Sequence, residues 1–135
     1  MVAGRSTYTA TVGNRVYTFA SLGSTVELDF CGDDPFVHAC EIDCTANTAE
    51  DVYVRFWFHV TASPPTNGTT DVHMLLPGIK GAVTSYLFPE AVFVDVDGVG
   101  TFALSVACVT NAGGGSGTSA PSGVVKVTLI VTEGS

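Results

Sequence analysis

Apolar and polar residues alternate with a two-residue period along most of the chain, the mark of strands with one face buried and one face wet. The clearest run is Asp51 to Thr61. Val52, Val54, Phe56, Phe58 and Val60 share one phase there, and Tyr53, Arg55, Trp57, His59 and Thr61 share the other. The first set is predicted to face a core. Thr70 to Leu76 repeats the pattern with Val72, Met74 and Leu76 inward, so the two segments are predicted to form a hairpin around Ser63 to Thr69, ended by Pro77 and Gly78. A last strand is predicted over Gly123 to Glu133, burying Val125, Val127, Leu129 and Val131.

The remaining segments read less sharply. Tyr8 to Val12 and Arg15 to Ser21 form a predicted hairpin through Gly13-Asn14, which sets Ala10 opposite Tyr17 and Tyr8 opposite Phe19. A third strand is predicted at Thr25 to Phe30, with Val26, Leu28 and Phe30 on one face, and a fourth near Phe36 to Ile42. Ala91 to Val96 and Gly100 to Thr110 are predicted to pair across Asp97-Gly98-Val99, because a three-residue loop keeps Val94 opposite Phe102 and Val92 opposite Leu104. Asn111 to Ser122 is rich in Gly and Ser, lacks apolar anchors and reads as a flexible insertion.

No segment shows a helical period. About eight to ten short strands with frequent turns predict a single all-β domain over residues 1–135, an antiparallel β-sandwich with a flexible Gly/Ser loop at 111–122. A jelly roll is favoured over an immunoglobulin-like sandwich. The latter would frame a core Trp with two cysteines, whereas Trp57 lies on the polar phase and Cys108 has no Tyr two residues before it.

Composition then narrows the function classes. Charged residues are only 13% of the chain, against about 25% in ordinary soluble domains, so the surface is short of ions and part of it is expected to be covered by other subunits. The net charge of -8 excludes a basic groove for phosphates, so neither nucleic acid nor an anionic membrane is an expected partner. No apolar run approaches the roughly 18 residues of a spanning helix, and the start of the chain lacks the apolar centre of a secretion signal, which was either removed or never present. The expected location is a virion or the extracellular space.

Motifs for catalysis are missing. Gly113 to Gly117 lacks the Lys-Ser/Thr of a phosphate loop, and there is no Gly-x-Ser-x-Gly elbow, so no catalytic residue and no cofactor is assigned. If the hairpin centres on Thr66, His59 and His73 fall opposite each other on the outer face; two imidazoles alone fall short of a zinc ligand set, so no metal is assigned to them. Asp95-Val96-Asp97-Gly98 reads as a turn rather than a calcium loop, and the carboxylates near Asp33, Asp34, Glu41 and Asp43 as solvated loop charges. Cys31, Cys40, Cys44 and Cys108 have no zinc-knuckle spacing; they read as buried thiols, with disulfides as the alternative. Asn67-Gly68-Thr69 is a glycosylation sequon.

The outward stripe Tyr53, Arg55, Trp57 and His59, joined by His73, is the candidate binding or interface surface, because aromatics and Arg on a flat face stack on sugars or anchor protein contacts. The competing account is that a loop of the same chain covers it. Ala103, Ala107, Val109 and Ile130 extend the outward apolar set. The expected function is therefore a non-enzymatic structural subunit that forms a homo-oligomer or binds a larger protein lattice, such as a viral capsid or a capsid-decoration layer. The alternative is a carbohydrate-binding or adhesive module that takes glycans on Tyr53, Arg55 and Trp57.

Overall fold

A computed structural model describes residues 5–9, 14–96, 101–112 and 116–133, with side chains from Arg15 onward. The strands are β1 (Arg5–Thr9), β2 (Asn14–Phe19), β3 (Phe36–Asp43), β4 (Val52–Val60), β5 (Met74–Gly78), β6 (Val83–Val92), β7 (Phe102–Val109) and β8 (Lys126–Thr132). They form two antiparallel sheets, a five-stranded one in the order β1-β2-β8-β3-β6 and a three-stranded one in the order β5-β4-β7. No helix occurs among the described residues, and none is therefore long and apolar enough to cross a membrane.

The two sheets share one core, as expected of a sandwich-like all-β chain. Tyr17, Phe19, Ile42, Val127, Leu129 and Val131 enter it from the larger sheet, and Val52, Val54, Phe56, Phe58, Leu104 and Val106 from the smaller. The predicted inward phases of the strongest strands hold: Val52, Val54, Phe56 and Phe58 are fully buried, and so are Val125, Val127, Leu129 and Val131. A bulge between Val37 and Ala39 switches the phase of β3, so that Val37 and then Cys40 and Ile42 point inward. Just past β8, Glu133 accepts hydrogen bonds from the Tyr17 hydroxyl and from the Gly32 amide at 2.6 Å and pairs with Arg15 at 3.1 Å. That carboxylate ties the end of the central strand to β2 and to the loop before β3.

Several expected elements differ. Thr25 to Phe30 is not a strand: Asp29 takes a left-handed φ of 44°, and the segment meets β7 only through spaced bonds such as Glu27 with Val106. Phe30 still enters the core, edge-on to Tyr17 and Phe19, while Leu28 is exposed. The first hairpin pairs Tyr8 with Val16 and Thr7 with Tyr17, three residues away from the expected register; its turn lies outside the described residues. Ala91 to Val96 does not pair with Gly100 to Thr110, because β6 and β7 belong to different sheets. The loop at 97–100 again lies outside the described residues. Strand β6 itself begins eight residues before the expected Ala91.

Candidate functional site

The outward stripe of β4 is covered by the chain itself. As the central strand of its sheet, β4 buries residues on both faces, and Arg55 and Trp57 are 0% exposed. The cover is the segment from Thr61 to His73, which returns over the sheet as a strap. The Trp57 indole N–H donates to the Thr70 carbonyl at 3.1 Å, and the Arg55 guanidinium donates to Asn67 Oδ1 at 2.7 Å. Asn67 in turn donates its Nδ2 to the Ser24 carbonyl at 2.8 Å. Gly68 lies so close to Ser116 and Thr118 that a Cβ there would sit 2.7 Å from Thr118 Cγ2, which brings the described end of the 111–122 loop onto the strap.

These contacts correct the solvent-facing position expected for the stripe. Arg55, Trp57 and His59 are buried and Tyr53 is half-buried. Ala103, Ala107 and Val109, also expected outside, are fully buried on the same covered sheet. The 111–122 loop is likewise anchored where described: Thr110 and Asn111 bond to Ser119, and Ser122 bonds to the Glu50 carboxylate. The sequon asparagine holds the strap down through both ends of its amide.

The two histidines do not face each other. The β4–β5 register pairs Phe56 with Met74, so His73 falls opposite Trp57 rather than His59. The hydrogen bonds of His59 go to Ser105 Oγ at 2.7 Å and to the Val60 carbonyl at 2.9 Å. The ring of His73 accepts the Phe58 amide at Nδ1, 3.0 Å away, while its own amide donates to the Phe56 carbonyl. Among the described residues no group of three or more His, Cys, Asp or Glu side chains is placed to hold a metal ion.

An imidazole that accepts at Nδ1 must be unprotonated there, and burial holds His73 below its ordinary value of 6.5, with Asp71 opposing the fall and His59 adding to it. A folded-state value below the unfolded one gives stability that is complete above pH 6.5 and is lost as the pH falls through the folded value. Because His73 is also exposed to solvent, the native chain should thus lose no more than about 0.5 kcal/mol between neutral and mildly acidic pH. His73→Gln keeps an acceptor that does not titrate, so its urea midpoint should vary less between pH 7.5 and 5. Equal slopes for the two proteins would reject this role.

No disulfide joins the four cysteines. Cys40, Cys44 and Cys108 are buried in the core and Cys31 is half-buried. Burial pushes Cys40 and Cys108 up to about 12, so neither is a nucleophile near neutral pH. Of the acidic turn residues, Asp43 accepts from the Thr45 amide and hydroxyl, bonds that hold its carboxyl below the usual range. Asp95 is exposed, and Asp97 and Gly98 lie outside the described residues.

The opposite outer face, on the five-stranded sheet, is open over β3 and β6, with β8 half-buried, whereas Val16 and Thr18 of β2 are buried on it. The registers align Val16, Ile130, Ala39 and Leu87 in one row across β2, β8, β3 and β6, with Thr18, Thr128, Glu41 and Ser85 in the next. A shallow groove of about 360 Å³ runs between these rows, lined by Ala39, Glu41, Ser85, Leu87, Thr128 and Ile130. Leu87 is 80% exposed and Val83 49%, while Ile130 is half-buried. Of the expected interface residues, Ile130 alone lies on this face. Leu87 and Val83 went unread because β6 was not recognised as a strand, and Ala39 because the bulge in β3 shifts its phase. The chain matches no protein-family model, no curated protein and no solved structure.

Proposed function

We propose that the chain is a non-enzymatic structural subunit that associates with copies of itself, or onto a protein lattice such as a viral capsid, through the open face of its five-stranded sheet. The observation that carries this reading is Leu87, 80% exposed in a row with Ile130 and Ala39. The chain covers the apolar outer side of its three-stranded sheet with its own strap, and no described segment does the same for this one. An aliphatic patch on a surface poor in ions gains free energy when another protein removes it from water. We favour a jelly-roll kind of sandwich over an immunoglobulin-like one, since Trp57 lies outside the shared core and the cysteines are unbridged. A glycan platform on Tyr53, Arg55 and Trp57 is disfavoured, because its aromatic anchor Trp57 is fully buried.

Light scattering of the purified chain at micromolar concentration should give a mass above that of one 13.9 kDa chain. Leu87→Glu should move the population toward the monomer without changing the circular dichroism spectrum, since Leu87 lies outside the core. A monomer at every concentration, with no binding to an assembled lattice, would overturn the reading.

A further inference from the structure

β6 is the last strand of the five-stranded sheet, and no described strand pairs with its far edge. Its ladder with β3 is regular only from Val83, opposite Asp43, to Leu87, opposite Ala39. The next matched pair is Val92 with Val37, so Phe88 to Ala91 bulge out against the single residue His38. Pro89 sits in that bulge and has no N–H to offer a neighbour. The straight part of the edge is thus a five-residue segment centred on Ser85, with Val83, Ser85 and Leu87 exposed and no charge along it.

The nearest charges lie off this straight segment: Lys80 is in the turn that precedes β6 and Glu90 in the bulge, and both are exposed. We infer that a second copy of this chain adds to the β6 edge in antiparallel fashion, about a two-fold axis beside Ser85, joining two five-stranded sheets into one. This rests on the self-association reading above and adds to the open face an edge contact that borders it.

In that register Ser85 meets Ser85 of the second copy, and Val83 meets Leu87 twice over. A two-fold contact demands such self-complementarity. Edge backbone groups supply the hydrogen bonds, as in other strand additions. Copies that each carry a net charge of -8 repel one another at long range, and an edge with no charge along its straight part is where that repulsion is least. The pairing also covers Val83 and Leu87, two of the most exposed aliphatic side chains described.

Cysteine cross-linking tests the register. Directly opposed strand residues have Cα atoms about 4.5–5.5 Å apart, within disulfide reach. Ser85→Cys under mild oxidation should therefore give a covalent dimer as its main product on a non-reducing gel. Leu87→Cys should stay at the level of the unsubstituted chain, because its two copies would stand roughly 13 Å apart along the strands. Ser85→Asp should weaken dimerisation about tenfold, because it sets two carboxylates directly opposite each other on the axis. Light scattering separates the two levels of failure. An oligomer whose Ser85→Cys variant cross-links no better than Leu87→Cys overturns the edge pairing and leaves self-association standing. A monomer with no Ser85→Cys cross-link overturns both.

Discussion

Trp57→Ala should lower the unfolding free energy by about 3–5 kcal/mol, the range for removing a large aromatic side chain from a packed interior. The ring is fully buried between β4 and the strap, and its indole N–H is bonded to Thr70, so the alanine variant leaves both a void and a carbonyl without its donor. Urea unfolding with a two-state fit measures the effect, and an unchanged slope with a lower midpoint is the expected form. A ring that served as a surface contact would behave otherwise. A loss below about 1 kcal/mol, the level of ordinary surface substitutions, would show that the strap does not seal Trp57 in solution.

Asn67→Ala should cost about 2–3 kcal/mol, because it removes a hydrogen bond to a charged group together with a second bond to the backbone. The guanidinium of Arg55 is fully buried, burial holds it below the usual arginine value, and Asn67 Oδ1 is 2.7 Å from it. The alanine variant withdraws that acceptor while leaving the charge in place. Arg55→Met should be milder than Asn67→Ala, since replacing a buried charge by an apolar side chain of similar length removes the desolvation cost along with the bond. The double variant then reports the coupling. If Arg55→Met proves the more damaging, the guanidinium contributes through partners other than Asn67.

What the sequence made legible follows from how each signal arises. β4 and β8 could be read because Val52 to Val60 and Val125 to Val131 alternate without a break, and burial on the core side imposes that alternation. The strap could not. Ser63 to Thr69 is Pro, Thr, Asn and Gly, a composition that reads as a solvated turn, yet Asn67 and Thr70 serve as hydrogen-bond partners for the buried Arg55 and Trp57. Alternation distinguishes two phases and does not say whether the second phase meets water or a third layer. The alternation therefore left both accounts of the stripe open, and burial of Arg55 and Trp57 under the strap agrees with the second. β6 escaped for the converse reason: its outward Val83 and Leu87 are as apolar as its inward Tyr86 and Phe88, and Pro89 interrupts what remains. The apolar residues that lost the pattern are the ones left open.

Register was the least legible level. The expected opposition of His59 and His73 assumed a loop centred on Thr66, but the pairing of Phe56 with Met74 moves every contact by two residues. A shift of that size preserves which side each residue faces, so inward Met74 and Leu76 remain inward while the neighbours across the strand change. Local chemistry set by cross-strand opposition is lost under such a shift, and core membership survives it.

The seat of β8 shapes how the chain can come together. This strand is the last in chain order and lies in the middle of its sheet, bonded to β2 on one side and β3 on the other. During ribosomal synthesis the earlier strands of that sheet must wait, with their inner faces uncovered, until Lys126 to Thr132 has emerged to bridge them. Assembly of most of this layer therefore waits for β8 and is slow in the way of folds dominated by distant partners. A product truncated ahead of Lys126 would present two unjoined half-sheets to the cell's quality-control machinery.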